Sequence, residues 1–495
     1  MPNDKQIIRS ITLPSIVLDD IQSFDSESGE APSHGSPETP YSSSAQYGAA
    51  FPLIQINNFP ISPDSILDLT IYCDSDRPSV SATVLIRDKS FYSTSFPKDG
   101  DLLSVFIRSK VEPLKPLRND YEITNVDIRP ATGNTEDDYD YMYITGVLRI
   151  PGYDALKCFS IKGTSIQAIK QVATDLNLGF STNETDTSDS QTWICPFEKT
   201  RDFLASTTQA AWKDENSFYT YFIDHYYSLN FVNVEPLYSD LPEIEEAVST
   251  LRITNDYGKD SVLQKSQVKL VLSNWDDIEH TQNYIGSHQL INNTAAINLR
   301  HGYKRYVQYY DALLREEQSV FVDPKVTEGA EKTKQLLRGR PNENFYLEQI
   351  NGKWMGIQYG EEGDNTHGKY NYARVTNYQN NVHIEKMGLR ITLANPNFNI
   401  RRMQTIPVVI IVKKDYVRKR YNEPADESQQ STAPNENEPN SEKPALDFNE
   451  SPFVTDRTMS GYYTVQSFKY NYSKGKFTQD VVLLRREWDP PPAVH

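Results

Sequence analysis

The sequence predicts a mainly β protein with α+β parts: two similar antiparallel β-barrel domains, a small helix–helix–hairpin domain and a mixed insertion. Three observations lead to this class. The chain has 31 tyrosines and is 11% aromatic, and aromatic and β-branched residues favour strands. Apolar and polar residues alternate in segments near both ends of the chain, which is typical of half-buried strands. The apolar spacing becomes helical in the middle of the chain.

The length of 495 residues is enough for about three or four domains. We expect an acidic N-terminal tail, partly disordered or extended, at 1–50, a first β-barrel at 51–163, a small α+β domain at 164–234, a mixed insertion domain at 235–384, and a second β-barrel at 385–490 with a flexible acidic loop at 421–450. Residues 19–46 contain six acidic residues, three prolines and no Lys or Arg. Such segments bury too little apolar surface to offset the entropy of ordering them.

The first β-barrel is predicted from alternating segments separated by turns rich in Asp, Gly and Pro. These segments are 79–87, 101–108, 121–130 and 141–150. In the last of them Met142, Ile144 and Leu148 share a face, and Gly146 stands where a bulge or a close approach of two backbones fits.

The small α+β domain begins where the apolar period changes. Residues 165–178 have a helical apolar stripe, Thr164 and Gln167 have the spacing of a capping box, and Gly179 is expected to end the helix. A second helix is predicted from Thr200 to Trp212. Residues 217–234 then read as a β-hairpin that turns at 224–227.

The rest of the chain is less uniform. Strand-like pieces at 266–273 and 354–360, and a polar piece with a helical pattern at about 305–317, form the mixed insertion. The second barrel is predicted from strands at 388–400 and 405–414. It ends with a long hairpin at 461–488, which turns at 473–476.

Charge and composition exclude several classes of protein. The formal net charge is −17 and the pI is about 5.0, which argues against a surface that wraps nucleic acid tightly, although not against a wall that DNA merely passes. The three cysteines have no CxxC spacing and indicate a reducing compartment. The N-terminus lacks the pattern of a secretory signal, and the apolar run 407–412 is too short to cross a bilayer.

The basic run 413–420 is interpreted as a solvated strand end, with a contact to an acidic partner as the alternative.

One segment resembles a phosphate-binding loop. Residues 363–369 read GDNTHGK, which matches G-x-x-x-x-G-K, but Tyr370 stands where Ser or Thr must hold Mg²⁺. The residues that follow look β-like, so no helix N-terminus is expected to face a phosphate. We interpret the segment as a turn.

Acidic and histidine-rich positions give no stronger signal. The clusters 135–140 and 183–190 lack the ligand spacing of a calcium loop, so Glu184, Asp186 and Asp189 are expected to stay in water, with weak cation binding as the alternative. The histidines are scattered without metal-ligand spacing; they are His34, His225, His280, His288, His301, His367, His383 and His495. We therefore predict no catalytic residues, no cofactor-binding residues and no metal ligands.

In the order of its predicted domains and in the amino-acid sequences of several segments, the chain resembles the baseplate hub proteins of contractile, T4-type myovirus phage tails. The matching segments include SIQAIKQVATDLNLGF, TRDFLASTTQAA, DENSFYTYFIDHYYSLNFVNV and GYYTVQSFKYNYSKGKFTQDVVLLRREW. The resemblance covers about 300 residues, best at 77–234 and 385–488. On this reading the helix 165–178 packs on the hairpin 217–234, and Trp193 fills the core between them.

The resemblance implies a structural protein and no enzyme. It implies a homotrimeric ring that adapts the sixfold tail tube to a threefold central spike and leaves a channel for DNA ejection. Implied partners are tail tube or tube-initiator proteins, the central spike, the tape measure protein and the baseplate wedge, without tight nucleic-acid binding or membrane insertion. The implied location is the virion tail, after assembly in the host bacterial cytoplasm.

Two other functions stay open at this point. A carbohydrate-active enzyme or glycan-binding β-rich module is the main alternative, because tyrosine-rich β-barrels often bind sugars. A secreted toxin or adhesin is a weaker alternative, since the missing signal and the few cysteines argue against it.

Overall fold

The structure of the protein is a computed structural model. It describes residues 52–57, 59–74, 79–88, 97–107, 117–129, 140–239, 270–272, 285–301, 304–311, 315–322, 350–358, 366–393, 396–398, 400–413, 453–455, 459, 461–473 and 475–485. The predicted tail at 1–50, the acidic loop at 421–450, most of the cluster 135–140 and most of the basic run 413–420 lie outside these ranges.

The described elements are mainly strands, which confirms the predicted fold class. The strands of the first half are β1 (Leu53–Ile56), β2 (Phe59–Ile61), β3 (Ile66–Cys73), β4 (Ser81–Asp88), β5 (Leu102–Ile107), β6 (Leu117–Arg129), β7 (Asp140–Leu148), β8 (Leu156–Gly163), β9 (Gly179–Thr182), β10 (Gln191–Lys199), β11 (Tyr219–Ile223) and β12 (Ser228–Asn233). Those of the second half are β13 (Leu270–Leu272), β14 (Ile285–Asn292), β15 (Lys304–Asp311), β16 (Glu316–Val322), β17 (Ile350–Gln358), β18 (Met387–Leu393), β19 (Thr405–Lys413), β20 (Phe453–Thr455), β21 (Gly461–Ser473) and β22 (Lys476–Leu484). The helices are α1 (Ser165–Asp175), α2 (Thr200–Ala210), α3 (Pro236–Ser239), α4 (Thr294–His301) and α5 (Tyr370–His383).

One large sheet joins the two β-rich ends of the chain. It has 14 strands, in the order β14-β18-β22-β21-β3-β4-β7-β6-β5-β1-β2, with β19 added to β21 and with β13 and β20 added to β19. We call these two β-rich ends the first and the second β unit. They are connected edge to edge, where β21 of the second unit pairs with β3 of the first. Strand β14 belongs to this sheet although it falls inside the segment predicted as an insertion.

The two β units share one topology. Five strands of the first unit pair in the order β3-β4-β7-β6-β5, and five strands of the second pair in the order β14-β18-β22-β21-β19. In each list the first two strands are also the first two in the chain, and the other three follow in reverse chain order. Every neighbouring pair in both lists is antiparallel. We call this arrangement the five-strand repeat.

The five-strand repeat is also matched in register. Tyr121 of β6 lies opposite Leu103 of β5, and Tyr463 of β21 lies opposite Ile406 of β19. Both tyrosines are fully buried. Counting from these pairs makes residues 119–129 of β6 equivalent to residues 461–471 of β21, and the remaining strands follow.

Irregularities recur at equivalent places. The pairing of β6 with β7 shifts immediately after Ile123, and the pairing of β21 with β22 shifts immediately after Val465. The pairing of β3 with β4 shifts after Ile66, the first residue of β3, and that of β14 with β18 shifts after Ile285, the first residue of β14. Bulges bend a strand and re-aim its side chains, so matched bulges give the two units the same curvature.

The turns that lead into β5 and β19 are alike as well. Gly100 and Met403 occupy equivalent positions with positive φ values of 85° and 58°. Asp101 and Gln404 follow them, and each side chain accepts a hydrogen bond from the backbone N–H three residues earlier, at 2.8 and 3.0 Å. A methionine rarely adopts this conformation, so the second unit keeps the turn at some cost in backbone strain.

The small α+β domain lies between the two β units in the chain. Its sheet has the order β11-β12-β9, with β9 parallel to β12, and β8 and β10 form a separate two-stranded antiparallel sheet. Helices α1 and α2 contribute the fully buried Ile169, Ala173, Phe203 and Leu204 to the core. Trp193 of β10 is 4% exposed and its ring N–H donates to the carbonyl oxygen of Gly163 at 2.9 Å, in keeping with its predicted place in the core.

The end of α1 differs from the prediction. The left-handed residue after the helix is Asn177, with φ 56°, and Gly179 is the first residue of β9. The backbone N–H of Leu178 donates to the carbonyl oxygen of Ala173 at 2.8 Å, as in a Schellman motif. Asparagine tolerates this conformation better than most residues, and its side chain was the signal that the prediction overlooked.

Two predictions in the second half are wrong. The polar piece at 305–317 forms strands β15 and β16, which pair with each other while β17 pairs with β15. The β-like segment after 369 forms the helix α5. Its buried face includes the amides Asn377, Gln379 and Asn380, so the helical period is not visible as an apolar stripe.

Candidate functional site: the joint between the two β units

The joint is the place where the two β units meet. Strand β21 is long enough to pair with two strands along one edge: its first residues pair with β19, and its last six pair with β3. The opposed pairs on the core side of the joint are Phe468 with Cys73, Tyr470 with Ile71, and Tyr472 with Leu69. All six of these side chains are buried. The joint is thus a packed interior seam.

The tip of the β11–β12 hairpin is inserted against this seam. The side-chain amide of Asn119, on β6, donates to the carbonyl oxygen of His225 at 2.8 Å. The backbone N–H of Asp120 donates to the hydroxyl of Tyr227 at 3.0 Å. On the other side, the hydroxyl of Tyr226 donates to the carbonyl oxygen of Phe398 at 3.1 Å. One turn therefore contacts both β units.

The turn itself is organised by Asp224. One of its carboxylate oxygens accepts from the backbone N–H of Tyr226 at 2.9 Å and from that of Ser228 at 3.0 Å. Tyr227 has a positive φ of 58°. Aspartate commonly closes a turn in this way, and the closed turn presents three consecutive aromatic rings to the joint.

His225 lies at the centre of the joint. It is 1% exposed, and its ring meets those of Phe468 and Tyr470 edge to face, with centroid distances of 5.7 and 6.0 Å. Burial lowers the pKa of His225 to about 4, although the nearby Asp224 carboxylate acts to raise it. The imidazole is therefore neutral at physiological pH.

A second buried polar group faces the hairpin tip from β6. Asp120 is 1% exposed, and its carboxylate accepts a hydrogen bond from the hydroxyl of Ser104 at 2.8 Å. Burial raises the pKa of Asp120, while the bond from Ser104 and the charge of Arg118 oppose that rise. The group fixes the position of β6 against β5.

Two carboxylates of the acidic stretch 183–190 are structural, which corrects the expectation that they stay in water. Asp189 is fully buried and accepts from the backbone N–H of Ser165 at 2.9 Å, from the hydroxyl of Thr187 at 2.6 Å and from the backbone N–H of Trp212 at 2.8 Å. It ties the start of α1 to the end of α2. A free N–H at a helix start attracts a carboxylate, and this role was not predicted from the sequence.

Glu184 is also engaged, whereas Asp186 behaves as predicted. The Glu184 side chain is 7% exposed and lies 2.6 Å from Nζ of Lys213. It also accepts from the amide of Asn233 at 2.6 Å. Asp186 is exposed, and its carboxylate accepts a local bond from the N–H of Thr187 at 2.9 Å.

The segment that resembles a phosphate-binding loop is bound to the protein itself. A turn at 368–369 is present as predicted, but a helix follows it, contrary to the prediction. The backbone N–H of His367 donates to the side chain of Gln191 at 3.0 Å, and those of Lys369 and Tyr370 donate to the ring and the carbonyl oxygen of His367 at 3.3 and 3.0 Å. These N–H groups are engaged within the protein, so they do not form a cradle for an anion.

Helix α5 is attached to the small domain through Asn377. Its side-chain oxygen accepts from the backbone N–H of Tyr219 at 2.8 Å, and its NH₂ donates to the carbonyl oxygens of Gln209 and Ala211 at 2.8 and 2.9 Å. A buried asparagine that makes this many bonds fixes one packing of the helix.

Within the described ranges, no three His, Cys, Asp or Glu side chains come together as a metal site. None of the described helices has the length and apolar character needed to cross a bilayer.

A comparison with solved structures finds several proteins whose backbone is similar to that of this chain. A tail protein from Neisseria meningitidis MC58 matches with a TM-score of 0.46 and 10% identity over 89% of this chain and 97% of that protein. The 43 kDa tail protein of prophage MuSo2 from Shewanella oneidensis matches with a TM-score of 0.45 and 9% identity over 88% of this chain and 99% of its own.

A third match is an Escherichia coli component of the type VI secretion system that is itself described as structurally similar to the T4 bacteriophage tail proteins gp27 and gp5. Its TM-score is 0.37, with 8% identity over 89% of this chain and 79% of its own. No protein-family model matches the chain, and a search of curated proteins gives no match.

The residues that build the joint are not among those predicted from the sequence. The available signal was the pair Asn119-Asp120, which interrupts the apolar pattern of a strand, because polar residues on a buried strand need specific partners. The partner, the hairpin tip with His225, lies about a hundred residues away in the chain. Only the fold brings the two together.

Proposed function

We propose that the chain is the structural hub of a phage tail baseplate: a homotrimeric ring that adapts the sixfold tail tube to a threefold central spike and leaves a channel for DNA. The observation that carries this proposal is the register-matched five-strand repeat. Three copies of a chain that contains two equivalent units present six nearly equal positions. The resemblance of the sequence to baseplate hubs supports the same conclusion independently.

The joint supports this role mechanically. A ring with six positions requires the two units of one chain to hold a constant angle. The hairpin tip at 224–227 is hydrogen-bonded to both units, and the seam behind it is packed with aromatic rings. Motion between the units would expose this buried surface, so we expect the pair to move as one body.

The proposal also covers the type of role, the partners, the location and the domain division of the chain. We propose a non-enzymatic role, with the tail tube or tube-initiator proteins on one face and the spike on the other. The tape measure protein and baseplate wedge are further partners, in a virion tail assembled in the host bacterial cytoplasm. We also propose the division at 1–50, 51–163, 164–234, 235–384 and 385–490, with β14 attached to the second β unit.

The polar face of the large sheet is the surface that we propose for the channel. It carries charges of both signs, and one of its cations, Lys469, has a carboxylate partner. Nζ of Lys469 lies 3.1 Å from Asp480, and Asp480 also accepts from the hydroxyl of Thr392 at 2.7 Å. Cations that are already neutralised release few counterions from DNA, so we expect purified rings to bind duplex DNA weakly at physiological salt.

The proposal is tested by imaging the purified full-length chain. Rings of three copies support the hub. Monodisperse monomers that retain specific glycans on an array would favour the carbohydrate-binding alternative. Among the described residues, the large exposed aromatics lie on four separate elements, which gives that alternative no specific support; they are Phe59, Tyr143, Phe197 and Tyr310.

A further inference from the structure

The five-strand repeat contains two strand edges that are equivalent to the paired edges of the joint. Inside the chain, the last six residues of β21 pair with β3. The strands equivalent to these two are β6 and β14. In the described part of the chain, residues 125–129 of β6 pair with β7, and β14 pairs with β18. The edge of β6 that corresponds to the β3-binding edge of β21, and the outer edge of β14, have no strand partner there.

The matched registers give the equivalent residues. Counting along β6 and β21 from Ile123 and Val465, the bulge positions, makes Ile128 equivalent to Tyr470. Counting along β3 and β14 from their first residues makes Leu290 equivalent to Ile71. In the joint, Tyr470 lies directly opposite Ile71.

The burial of these side chains differs between the joint and the open edges. Tyr470 and Ile71 are each 1% exposed. Ile128 and Leu290 are only half-buried, although both pack against the main core. Val126, equivalent to the buried Phe468, is half-buried in the same way. The open edges therefore keep apolar side chains at the positions that the joint covers.

We propose that β14 of one copy pairs antiparallel with residues 126–129 of β6 in the next copy, in the same register as the joint inside the chain. This inference rests on the proposed trimer and specifies its interface. In this register Ile128 lies opposite Leu290, Asp127 opposite Ile291, and Arg129 opposite Gln289.

A second copy of this chain is the partner that we propose for the open edges of β6 and β14. Each chain offers one edge of each kind, so pairing is head to tail, and such an interface closes into a ring when the rotation allows it. Unpaired edges invite uncontrolled association, and closure removes both. A ring of three then has six alike joints, three inside chains and three between them.

The two kinds of joint differ in strength. The inner joint is packed with Phe468, Tyr470 and the hairpin tip around His225, whereas the outer joint offers Val126 and Ile128. Smaller apolar side chains bury less surface. We therefore expect rings to dissociate into intact single chains before the inner joint opens.

The test uses disulfide formation in the full-length chain. Cys158 is exposed while Cys73 and Cys195 are buried, so Cys158→Ser provides the background. Ile128→Cys combined with Leu290→Cys places two thiols directly opposite each other across the proposed interface. Directly opposed side chains are close enough for a disulfide, whereas those displaced by two residues are not.

The matched control is Ile128→Cys combined with His288→Cys, which is displaced by two residues. After mild oxidation, the in-register pair is expected to give covalent dimers and trimers on non-reducing gels, with no larger species. The control pair and each single variant should give at least about tenfold less product.

A second pair of variants addresses the same edge without new thiols. Ile128→Lys places a charge on the core side of the proposed interface, and Tyr143→Lys places the same charge on the exposed face of the neighbouring strand. The first should raise the concentration needed for assembly at least about tenfold, and the second should leave it unchanged. Circular dichroism of both variants should match the parent chain.

The outcomes separate this inference from the proposed function. Trimers that crosslink in the predicted register support both. Trimers that resist crosslinking, or that crosslink equally through the control pair, would overturn the interface and leave the ring standing. A chain that is monomeric at every soluble concentration and does not crosslink would overturn both.

Discussion

Asp189 provides a direct test of how the acidic stretch 183–190 works. Its carboxylate is fully buried and accepts bonds from Ser165, Thr187 and Trp212. Replacing it in Asp189→Ala leaves two backbone N–H groups and one hydroxyl without this acceptor. A buried donor left unpaired costs about 1–3 kcal/mol. Allowing for partial relaxation, we expect a loss of about 3–6 kcal/mol in the local stability of the small domain.

Hydrogen exchange measures this loss where it occurs. Amides of α1 and β10 exchange through local opening, and each loss of about 1.4 kcal/mol raises the exchange rate roughly tenfold. The variant is therefore expected to exchange these amides roughly a hundred to ten thousand times faster. Amides of β3 and β21, which do not contact Asp189, should change little.

The matched control is Asp186→Ala, which removes an exposed carboxylate from the same stretch. It should leave the exchange of α1 within about twofold of the parent chain. Equal exchange in the two variants would refute the conclusion that Asp189, and not the stretch as a whole, holds the domain together.

Three further predictions concern the sheet, the joint and helix α5. Gly146→Ala should destabilise the β6–β7 pairing by about 1–3 kcal/mol, because a Cβ there would lie 2.9 Å from Cβ of Tyr121; Gly286→Ala, whose Cβ would lie 3.5 Å from its nearest neighbour, is the matched control in thermal unfolding. The pKa of His225, lowered to about 4 from about 6.5 in the unfolded chain, means that the unfolded state binds the proton first, so stability falls by about 3 kcal/mol between pH 6.5 and 4. His225→Phe should flatten that pH dependence in unfolding experiments, and an unchanged slope would contradict the assignment. Asn377→Ala should make α5 open to limited proteolysis at least about tenfold faster, and a proteolysis pattern identical to that of the parent chain would argue against its anchoring role.

Local signals allowed a large part of the fold to be predicted. Strands β4, β5, β6 and β7, the hairpin of β21 and β22, helices α1 and α2 and the hairpin turn at 224–227 all follow from alternation or helical period. The errors have physical causes. Helix α5 buries amides such as Asn377, so its period is not apolar. In the segment 305–317, large apolar and aromatic residues fall at 306, 307, 309, 310, 313 and 314, which is the spacing of a helix although the segment forms strands.

The joint could not be predicted in the same way. Its strands, β3 and β21, lie almost four hundred residues apart, and no local pattern specifies which edges meet. The repeat was likewise hidden, because Tyr121 and Tyr463 are among the few identities at equivalent positions, and segments inserted in the second unit change the spacing between its strands. Matching topology with so little identity becomes visible only when strand registers are compared.

Two equivalent β units in one chain allow three copies to form six nearly equal positions in a ring. Cryo-electron microscopy of the purified full-length protein can show this arrangement. We expect a closed ring of three chains in which the density of the two β units superimposes after a rotation of about 60°. A ring of any other copy number, or a trimer whose two units stand at unequal radii from its axis, would contradict it.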